Sequence, residues 1–342
     1  MTTIYGDAAD NLLVGGAWDD ILFGFDGNDF LQGGAGGDAL FGGAGIDTAD
    51  YNGNAGVTVD LAAGQSWGGE AEGDWLYDIE NVWGTGGYGD VLAGSDAANE
   101  LRGFGGNDTL NGRDGDDRLV GGTADDFLQG GAGADSIDGG DGIDTVDYNG
   151  LEGVHVDLGR GIAEFGEAQG DVITGVENVW GTAYGDVLVG SYSGSELRGW
   201  GGDDFIGGGP AGDLLYGNDG NDRLIGDAGA DTLSGGAGAD TFEFWSVGDS
   251  QAGPGADWII DFHQAEGDVI DLVVIDADAT VAGHQGFGFI WDTPFSHQPG
   301  ELRYEVGDGM TTVLGDVDGD GAADLRIILS GSITLQIDDL AL

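Results

Sequence analysis

A nine-residue word, with glycine at its front and Asp-x-hydrophobic near its end, recurs in strict register through half of this chain. From Gly15 it reads GGAWDDILF, GFDGNDFLQ, GGAGGDALF and GGAGIDTAD, with no residue inserted or lost. A fixed short period means that each word is one small structural unit. Such a unit buries its apolar side chain only by stacking on its neighbours, so the period governs the fold.

The words fall in three blocks. The first starts at Gly6 and holds five words, the second starts at Thr85 and holds seven, and the third starts at Gly181 and holds seven; these nineteen words fill half of the 342 residues. Position six is Asp in sixteen of the nineteen: Asp20, Asp29, Asp38 and Asp47; Asp90, Asp108, Asp117, Asp126, Asp135 and Asp144; Asp186, Asp204, Asp213, Asp222, Asp231 and Asp240. Asn11, Asn99 and Ser195 are the departures. Position eight is apolar almost throughout, as at Leu22, Leu31, Leu40, Leu110, Leu119, Leu128, Ile137, Leu215, Leu224 and Leu233.

Each part of the word has a mechanical reason. Glycine suits a turn in which the backbone takes positive φ and carbonyls crowd inward around an ion. Aspartate adds a short, hard carboxylate oxygen, which matches Ca²⁺ and its six to eight oxygen ligands at about 2.3–2.6 Å. The apolar residue two positions later points inward, because side chains alternate along a strand. Ordering nine backbone residues costs on the order of 9–18 kcal/mol. Burying one Leu or Ile returns only about 1.5–3 kcal/mol. Stacking also brings carboxylates to roughly 5 Å, where each pair repels by about 0.8 kcal/mol even in water. Without metal the blocks are expected to be largely unfolded.

The word resembles the calcium-binding nonapeptide repeat of RTX (hemolysin-type) proteins, G-G-x-G-x-D-x-U-x. GGAGADSID from Gly130 and GGAGADTFE from Gly235 fit it throughout. The resemblance implies an all-β fold built on a parallel β-roll, in which two words make one coil and the glycine turns alternate sides. It also implies multiple Ca²⁺ ions between turns two words apart, with the sixteen position-six aspartates as ligands. A run of n words offers n−2 same-side pairs, which gives thirteen candidate sites over the three blocks.

The last hundred residues resemble the C-terminal module of serralysin-type metalloproteases. ADTFEFWSVGDS from Ala239, DWIIDFHQAEGDVIDL from Asp257, GELRYE from Gly300 and GDVDGDGAADL from Gly315 carry this likeness, and the chain ends IDDLAL, acidic residues followed by apolar ones. It implies a C-terminal secretion signal, passage through type I secretion machinery, and a last calcium capping the roll at Asp257, Asp261, Asp268 and Asp271. A second candidate lies at Asp316, Asp318, Asp320 and Asp324, spaced DxDxDGxxD like the opening of an EF-hand loop, although its twelfth position is Ile327 rather than a bidentate acid.

Between the blocks lie two related inserts. GIDTADYNGNAGVTVDLAAG from Gly45 parallels GIDTVDYNGLEGVHVDLGRG from Gly142, and DIENVWGTGGYGDVLAGS from Asp78 parallels GVENVWGTAYGDVLVGS from Gly175. Each insert reads as strands that pack on or extend the roll. The expected segments are thus a first β-roll block at 1–50, a β insert at 51–84, a second block at 85–147, a second insert at 148–180, a third block at 181–243 and the closing module at 244–342.

Charge narrows the partners. With 64 acidic residues against 8 basic ones the formal net charge is −56, which repels nucleic acid and anionic membrane surfaces. There are no cysteines, no apolar run near the length of a membrane-spanning helix, and no basic-then-apolar leader before the first word. Catalytic signatures are missing as well: H-E-x-x-H does not occur, and His155, His263, His284 and His297 lack zinc-ligand spacing. Glu70 with Glu72, and Glu164 with Glu167, are candidate glycosidase-like carboxylate pairs, with no sign of a pocket around them. Trp83 and Trp180 hold equivalent places in the inserts, while Trp18, Trp67, Trp75 and Trp200 lie near turns, where an exposed ring would stack on sugar.

The sequence therefore points to a non-enzymatic, extracellular, calcium-binding repeat protein that folds on meeting external Ca²⁺ and has a structural role at a cell surface or in a matrix. The alternatives are a carbohydrate-binding module of a secreted polysaccharide-modifying system, which would bind extracellular polysaccharide, and the non-catalytic part of a serralysin-like protease.

Overall fold

A computed structural model describes residues 1–342. It is all-β: apart from three short 3-10 turns at Gly69–Ala71, Gly166–Ala168 and Ile337–Asp339, every regular element is a strand. No helix is long and apolar enough to cross a membrane. The chain divides into two compact units, one comprising residues 1–150 and 161–178, the other 151–160 and 179–342. The segments expected at 1–50, 51–84 and 85–147 share the first unit, those at 181–243 and 244–342 share the second, and the insert at 148–180 is split between them.

In the first unit the words stack in parallel with the register that the period dictates. Ile21, Leu22 and Phe23 pair with Ala39, Leu40 and Phe41, eighteen residues on, so two words make one coil. The intervening words form the opposite sheet, where Leu12, Leu13 and Val14 pair with Phe30, Leu31 and Gln32. The position-eight side chains of both sheets point between them, and Leu22, Leu31, Leu40, Leu101, Leu110, Leu119, Leu128 and Ile137 are completely buried. Removing each from water contributes about 1.5–3 kcal/mol, and only the neighbouring coils can provide that cover.

The first insert does not interrupt this roll; its strands become rungs of it. On one side Thr48–Asp50 pairs with Asn81–Trp83, which in turn pairs with Glu100–Gly105. On the other, Ala39–Ala44 pairs with Trp75–Tyr77, and a short antiparallel meander through Gln65–Trp67 leads to Thr58–Asp60, which resumes parallel pairing with Val91–Ala93. The first two blocks and the insert between them are one continuous roll. Tyr51 and Tyr148, the bulkiest fully buried side chains, fill the interior where the two inserts depart from the nine-residue period.

The second unit repeats the plan. His155–Asp157 pairs with Val187–Val189, and the register continues through Phe205–Gly207, Arg223–Ile225, Thr241–Glu243 and Val269–Asp271 to Leu340–Ala341. The facing ladder runs through Glu196–Gly201, Leu214–Asp219, Thr232–Ala237 and Asp257–Ile259. It then passes to Leu325–Ser330, the last strand of an antiparallel meander with Met310–Asp316 and Glu301–Gly307. The tail that resembles a secretion signal is thus built into the sheet: Ile337–Asp339 forms a 3-10 turn and Leu340–Ala341 the outermost strand.

Candidate metal centre

The aspartates at position six form a buried ladder in each unit. The backbone N–H of each donates to Oδ1 of the next, one coil along: Asp20 to Asp38 at 2.6 Å, Asp29 to Asp47 at 2.7 Å, Asp108 to Asp126 and Asp117 to Asp135 at 2.8 Å, Asp204 to Asp222 and Asp213 to Asp231 at 2.8 Å. One carboxylate oxygen is therefore spent on the fold. The other has no partner: Oδ2 of Asp29, Asp38, Asp47, Asp108, Asp117, Asp126, Asp135, Asp144, Asp204, Asp213, Asp222, Asp231 and Asp240 is buried without a hydrogen bond. An acceptor stranded in this way costs about 1–3 kcal/mol, and more when it is charged.

What the stranded oxygens face is the glycine turn. A Cβ placed on Gly33 would lie 2.4 Å from Asp38 Oδ2, and one on Gly24 would lie 2.2 Å from Asp29 Oδ2 and 2.5 Å from the Gly42 carbonyl. At Gly34, where φ is +87°, it would lie 2.2 Å from the Gly16 carbonyl. Glycine is required here twice over, for its backbone conformation and for the close approach of oxygens. Turn carbonyls and a carboxylate converging in a space without side chains are the donor set of Ca²⁺, a hard cation with six to eight oxygen ligands. The residues present fit calcium.

Electrostatics make the same demand. Burial, followed by the like charges of neighbouring rungs, pushes the carboxyls of Asp108, Asp117, Asp126, Asp231 and Asp240 up to about 7, and that of Asp204 to about 8. A file of aspartates held this way at neutral pH must share protons or take up cations.

The departures from Asp behave differently. Asn99 keeps the ladder bond, donating its N–H to Asp117 Oδ1, but its side-chain oxygen accepts from Ser95 N–H and its Nδ2 donates to the Glu80 carbonyl. Ser195 likewise donates its N–H to Asp213 Oδ1. At the block starts, Asp90 and Asp186 have both oxygens satisfied, Oδ1 by Val57 and Val154 N–H and Oδ2 by Thr85 and Thr182 N–H.

Four acidic residues in these ladders escape a reading of the nine-residue blocks. Asp38 N–H donates to Asp74 Oδ1 and Asp135 N–H to Asp171 Oδ1, so each insert supplies a rung, while Asp47 and Asp144 N–H donate to Glu80 and Glu177 Oε2. A signal was present: GEAEGDWLY from Gly69 and GEAQGDVIT from Gly166 keep the front glycine, the aspartate and the apolar residue of the word.

The structure divides the set Asp257, Asp261, Asp268 and Asp271. Asp257 extends one ladder, accepting from Asp231 N–H at 3.0 Å, and Asp268 extends the other, accepting from Asp240 N–H at 3.1 Å. Asp261 instead accepts from Ser234 Oγ and from the N–H groups of Gly235 and Gly236, and Asp271 accepts from Val273 N–H. Two of the four thus stand on two different ladders, and Asp261 and Asp271 stand outside both. Of the EF-hand-like residues, Asp316, Asp318 and Asp324 bring carboxylate oxygens within 4.8 Å of one another. The Asp320 carboxylate turns away to Ala322 N–H, and Ile327 is buried in a strand.

The remaining candidates are dispersed. Glu72 accepts from Gly68 N–H, and Glu167 borders a cleft of about 140 Å³ with Arg113, Gln129, Asp147 and Asn149. Glu70 lies on the 3-10 turn Gly69–Ala71 and Glu164 in the strand Ile162–Glu164. His263 lies 3.4 Å from Glu266, His297 Nδ1 meets the Asp320 carbonyl, His155 sits in a strand, and His284 is exposed on a separate loop. Trp83 packs edge-on against Phe30 and Phe104 beneath the Arg102 guanidinium; Trp180 packs against Trp200 and Arg198. Trp18, Trp67, Trp75 and Trp200 keep much of their surface exposed.

The family described as RTX calcium-binding nonapeptide repeat (4 copies) matches residues 19–49, 84–119, 111–146, 180–215 and 207–242. No curated protein sequence matches the chain significantly. Among solved structures, the AlgE6R3 subunit from the Azotobacter vinelandii mannuronan C5-epimerase is 29% identical over 46% of this chain and 79% of its own, with a TM-score of 0.28. The AlgE6R2 subunit of that enzyme is 25% identical over 48% of this chain and 91% of its own, with a TM-score of 0.31. The extracellular lipase LipA from Serratia marcescens is 16% identical over 75% of this chain and 40% of its own, with a TM-score of 0.26. The family matches fall in all three blocks and coincide with the aspartate ladders, so the chain carries RTX calcium-binding nonapeptide repeats.

Proposed function

We propose that this is a secreted protein whose rolls fold on binding extracellular calcium, and that its role is structural, at a cell surface or in an extracellular matrix, without a reaction of its own. The observation that carries this reading is the row of stranded Oδ2 atoms, thirteen of them among the position-six aspartates. Ca²⁺ bound there would supply positive charge and complete the oxygen shell. Each aspartate holds its coil to the next through Oδ1, directs Oδ2 into the glycine turn, and repels its neighbours whenever nothing neutralises it. At low calcium that repulsion keeps the chain open and threadable through type I secretion machinery; at the roughly 0.1–1 mM affinity of extracellular modules, calcium outside the cell closes it.

The test is circular dichroism with light scattering over a titration from chelator to about 10 mM calcium, magnesium serving as control. A cooperative gain of β structure with compaction, selective for calcium, is expected. A chelated protein already folded and indifferent to calcium overturns the reading.

One observation favours a second reading, carbohydrate binding. Trp67 and Trp75 stand about half exposed beside a cleft of about 140 Å³ floored by Gln65, Ser66 and Asp74. In the second insert Glu164 and Val172 replace the two tryptophans. Retention of calcium-loaded protein on immobilised polysaccharide, lost in Trp67→Ala with Trp75→Ala, would support this reading, and passage of the parent protein without delay would reject it.

A further inference from the structure

We infer that each insert carries a self-modification site: the main-chain nitrogens of Gly53 and Gly150 attack the side-chain amides of Asn52 and Asn149, Glu70 and Glu167 take the proton, and each asparagine becomes a mixture of aspartate and isoaspartate. The inference does not depend on which ion fills the glycine turns.

The chain has three Asn-Gly pairs, Asn52-Gly53, Asn111-Gly112 and Asn149-Gly150. Glycine leaves its own nitrogen unscreened by a side chain, which opens that nitrogen to the preceding amide. The fold then sorts the three. Asn111 and Gly112 lie within the strand Thr109–Asp114, where Asn111 Nδ2 donates to Gln129 Oε1 at 2.8 Å, the Asn111 carbonyl accepts from Gly94 N–H at 2.8 Å, and Gly112 is buried. An extended, bonded backbone keeps the side-chain carbon away from the next nitrogen. Asn52 and Asn149 instead follow the ends of Thr48–Asp50 and Thr145–Asp147, outside any strand. Both are exposed, and no hydrogen bond holds their side-chain amides or the Gly53 and Gly150 N–H groups.

A carboxylate stands over each of these two pairs. A Cβ placed on Gly53 would lie 2.9 Å from Glu70 Cγ and 3.3 Å from its Oε2, and one on Gly150 would lie 2.9 Å from Glu167 Cδ and 3.2 Å from its Oε1. The glutamate therefore lies across the glycine, near enough to take the N–H proton directly or through one water. Burial raises the Glu167 carboxyl above its ordinary value, which makes it a better base. Asn149, Asp147 and Glu167 border one open cleft of about 140 Å³, so water reaches the site. Asn149, Gly150 and Glu167 repeat Asn52, Gly53 and Glu70 at a constant offset of 97 residues.

The step balances with water alone. The glycine nitrogen bonds to the asparagine Cγ as the glutamate removes its proton; the Cγ–Nδ2 bond breaks, and ammonia leaves with the proton returned to it. Water then opens the cyclic imide. Opening at Cγ gives aspartate, and opening at the main-chain carbonyl gives isoaspartate. The second product lengthens the main chain by one atom directly after Tyr51 or Tyr148, the bulkiest fully buried side chains. In the second insert it shifts the tyrosine whose hydroxyl donates to Asp171 Oδ2 at 2.9 Å. Each insert thus records the age of the folded chain and loosens its own roll as it ages.

The test is peptide mapping by mass spectrometry of the full chain aged for days at pH 8 in saturating calcium and, separately, in urea, with isoaspartate identified by fragmentation. In the folded protein Asn52 and Asn149 should convert at least about tenfold faster than Asn111, and in urea the three should convert alike. Glu167→Gln, which keeps the shape of the side chain, should slow Asn149 about tenfold and leave Asn52 unchanged, a loss below the usual general-base range because solvent also takes the proton. Circular dichroism of that variant confirms that it is folded like its parent. Equal conversion at Asn111 and Asn149 in the folded parent overturns the inference without any variant. An Asn149 rate unaltered by Glu167→Gln overturns the role of the glutamate, and with it the site as stated.

Discussion

The backbone N–H of Asp126 donates to Oδ1 of Asp144 at 2.8 Å, eighteen residues further along, while Asp144 Oδ2 stays buried with no partner. One side chain thus has two separable jobs, holding a coil with one oxygen and waiting for a cation with the other. Neither job needs the same charge. The ladder bond needs only an acceptor, whereas the stranded oxygen is useful only as a carboxylate.

Asp126→Asn separates these jobs. Asparagine keeps an acceptor for the Asp108 N–H, which donates to Asp126 at 2.8 Å, and removes a carboxylate that burial and the neighbouring Asp144 push up to about 7. In chelator at pH 8 the variant should be more stable than its parent by about 1 kcal/mol, since a buried like charge is gone. In saturating calcium the order reverses, because a ligand is missing. Residual β structure by circular dichroism in chelator and urea unfolding in saturating calcium measure the two signs, and a variant that loses β structure in chelator as well as stability in calcium would show that the aspartate serves only the fold.

Acid should stand in for calcium. The ladder aspartates have folded-state values raised above the usual carboxylate range by burial, to about 7 for Asp117, Asp126 and Asp240 and about 9 for Asp257. A raised folded value means that the folded state binds protons more tightly than the unfolded one. The contribution is complete below the unfolded value near 4 and is lost as pH climbs through the folded values between about 6 and 9. The chelated protein should therefore gain β structure as pH falls from 8 to 5, and calcium affinity should weaken over the same interval as protons compete. Circular dichroism in chelator across that range checks it; β content that is flat, or that falls toward pH 5, contradicts it.

The roll was legible because its period is commensurate with its geometry. Nine residues taken twice give the eighteen-residue offset by which Leu22 meets Leu40 and Asp20 meets Asp38. The inserts were harder to read, since Asp38 finds Asp74 thirty-six residues away, after a meander whose antiparallel strands carry no repeat. The closing module failed differently: residues 244–256 lengthen one coil, so Asp257 and Asp268, near neighbours in sequence, join opposite ladders. Spacing reveals contacts only where loop length is fixed, and a carboxylate's partners become visible only when the coils are placed.

Leu119→Ala probes the packing alone. Leu119 is completely buried and pairs in register with Leu101 and Ile137 on the adjoining coils. Its truncation should cost about 2–5 kcal/mol in calcium-saturated protein, the range for a Leu cavity in a core that collapses only partly. The chain-bound calcium count should stay the same, because Leu119 contributes no oxygen. Loss of ions along with stability would mean that turn geometry is set by the interior rather than by the glycines.

Tyr148→Phe tests whether an insert closes its ladder without metal. The buried Tyr148 hydroxyl donates to Asp171 Oδ2 at 2.9 Å, taking the oxygen that is left stranded in Asp126 or Asp135, while Asp135 N–H holds Asp171 Oδ1. Removing the hydroxyl leaves a buried carboxylate short of a donor, at a cost of about 1–3 kcal/mol. Burial raises Asp171 to about 7 even with that donor in place, so the sign of the pH effect is fixed. At pH 8 the group is largely ionised and the missing bond costs most; at pH 6 it is largely protonated and the loss shrinks. Thermal unfolding in saturating calcium at the two pH values should show the larger destabilisation at pH 8, with the number of bound ions unchanged. Should the variant instead gain an ion, the hydroxyl would be a plug in an otherwise competent calcium turn. A penalty equal at both pH values would mean that the tyrosine matters for its ring and not for its bond to Asp171.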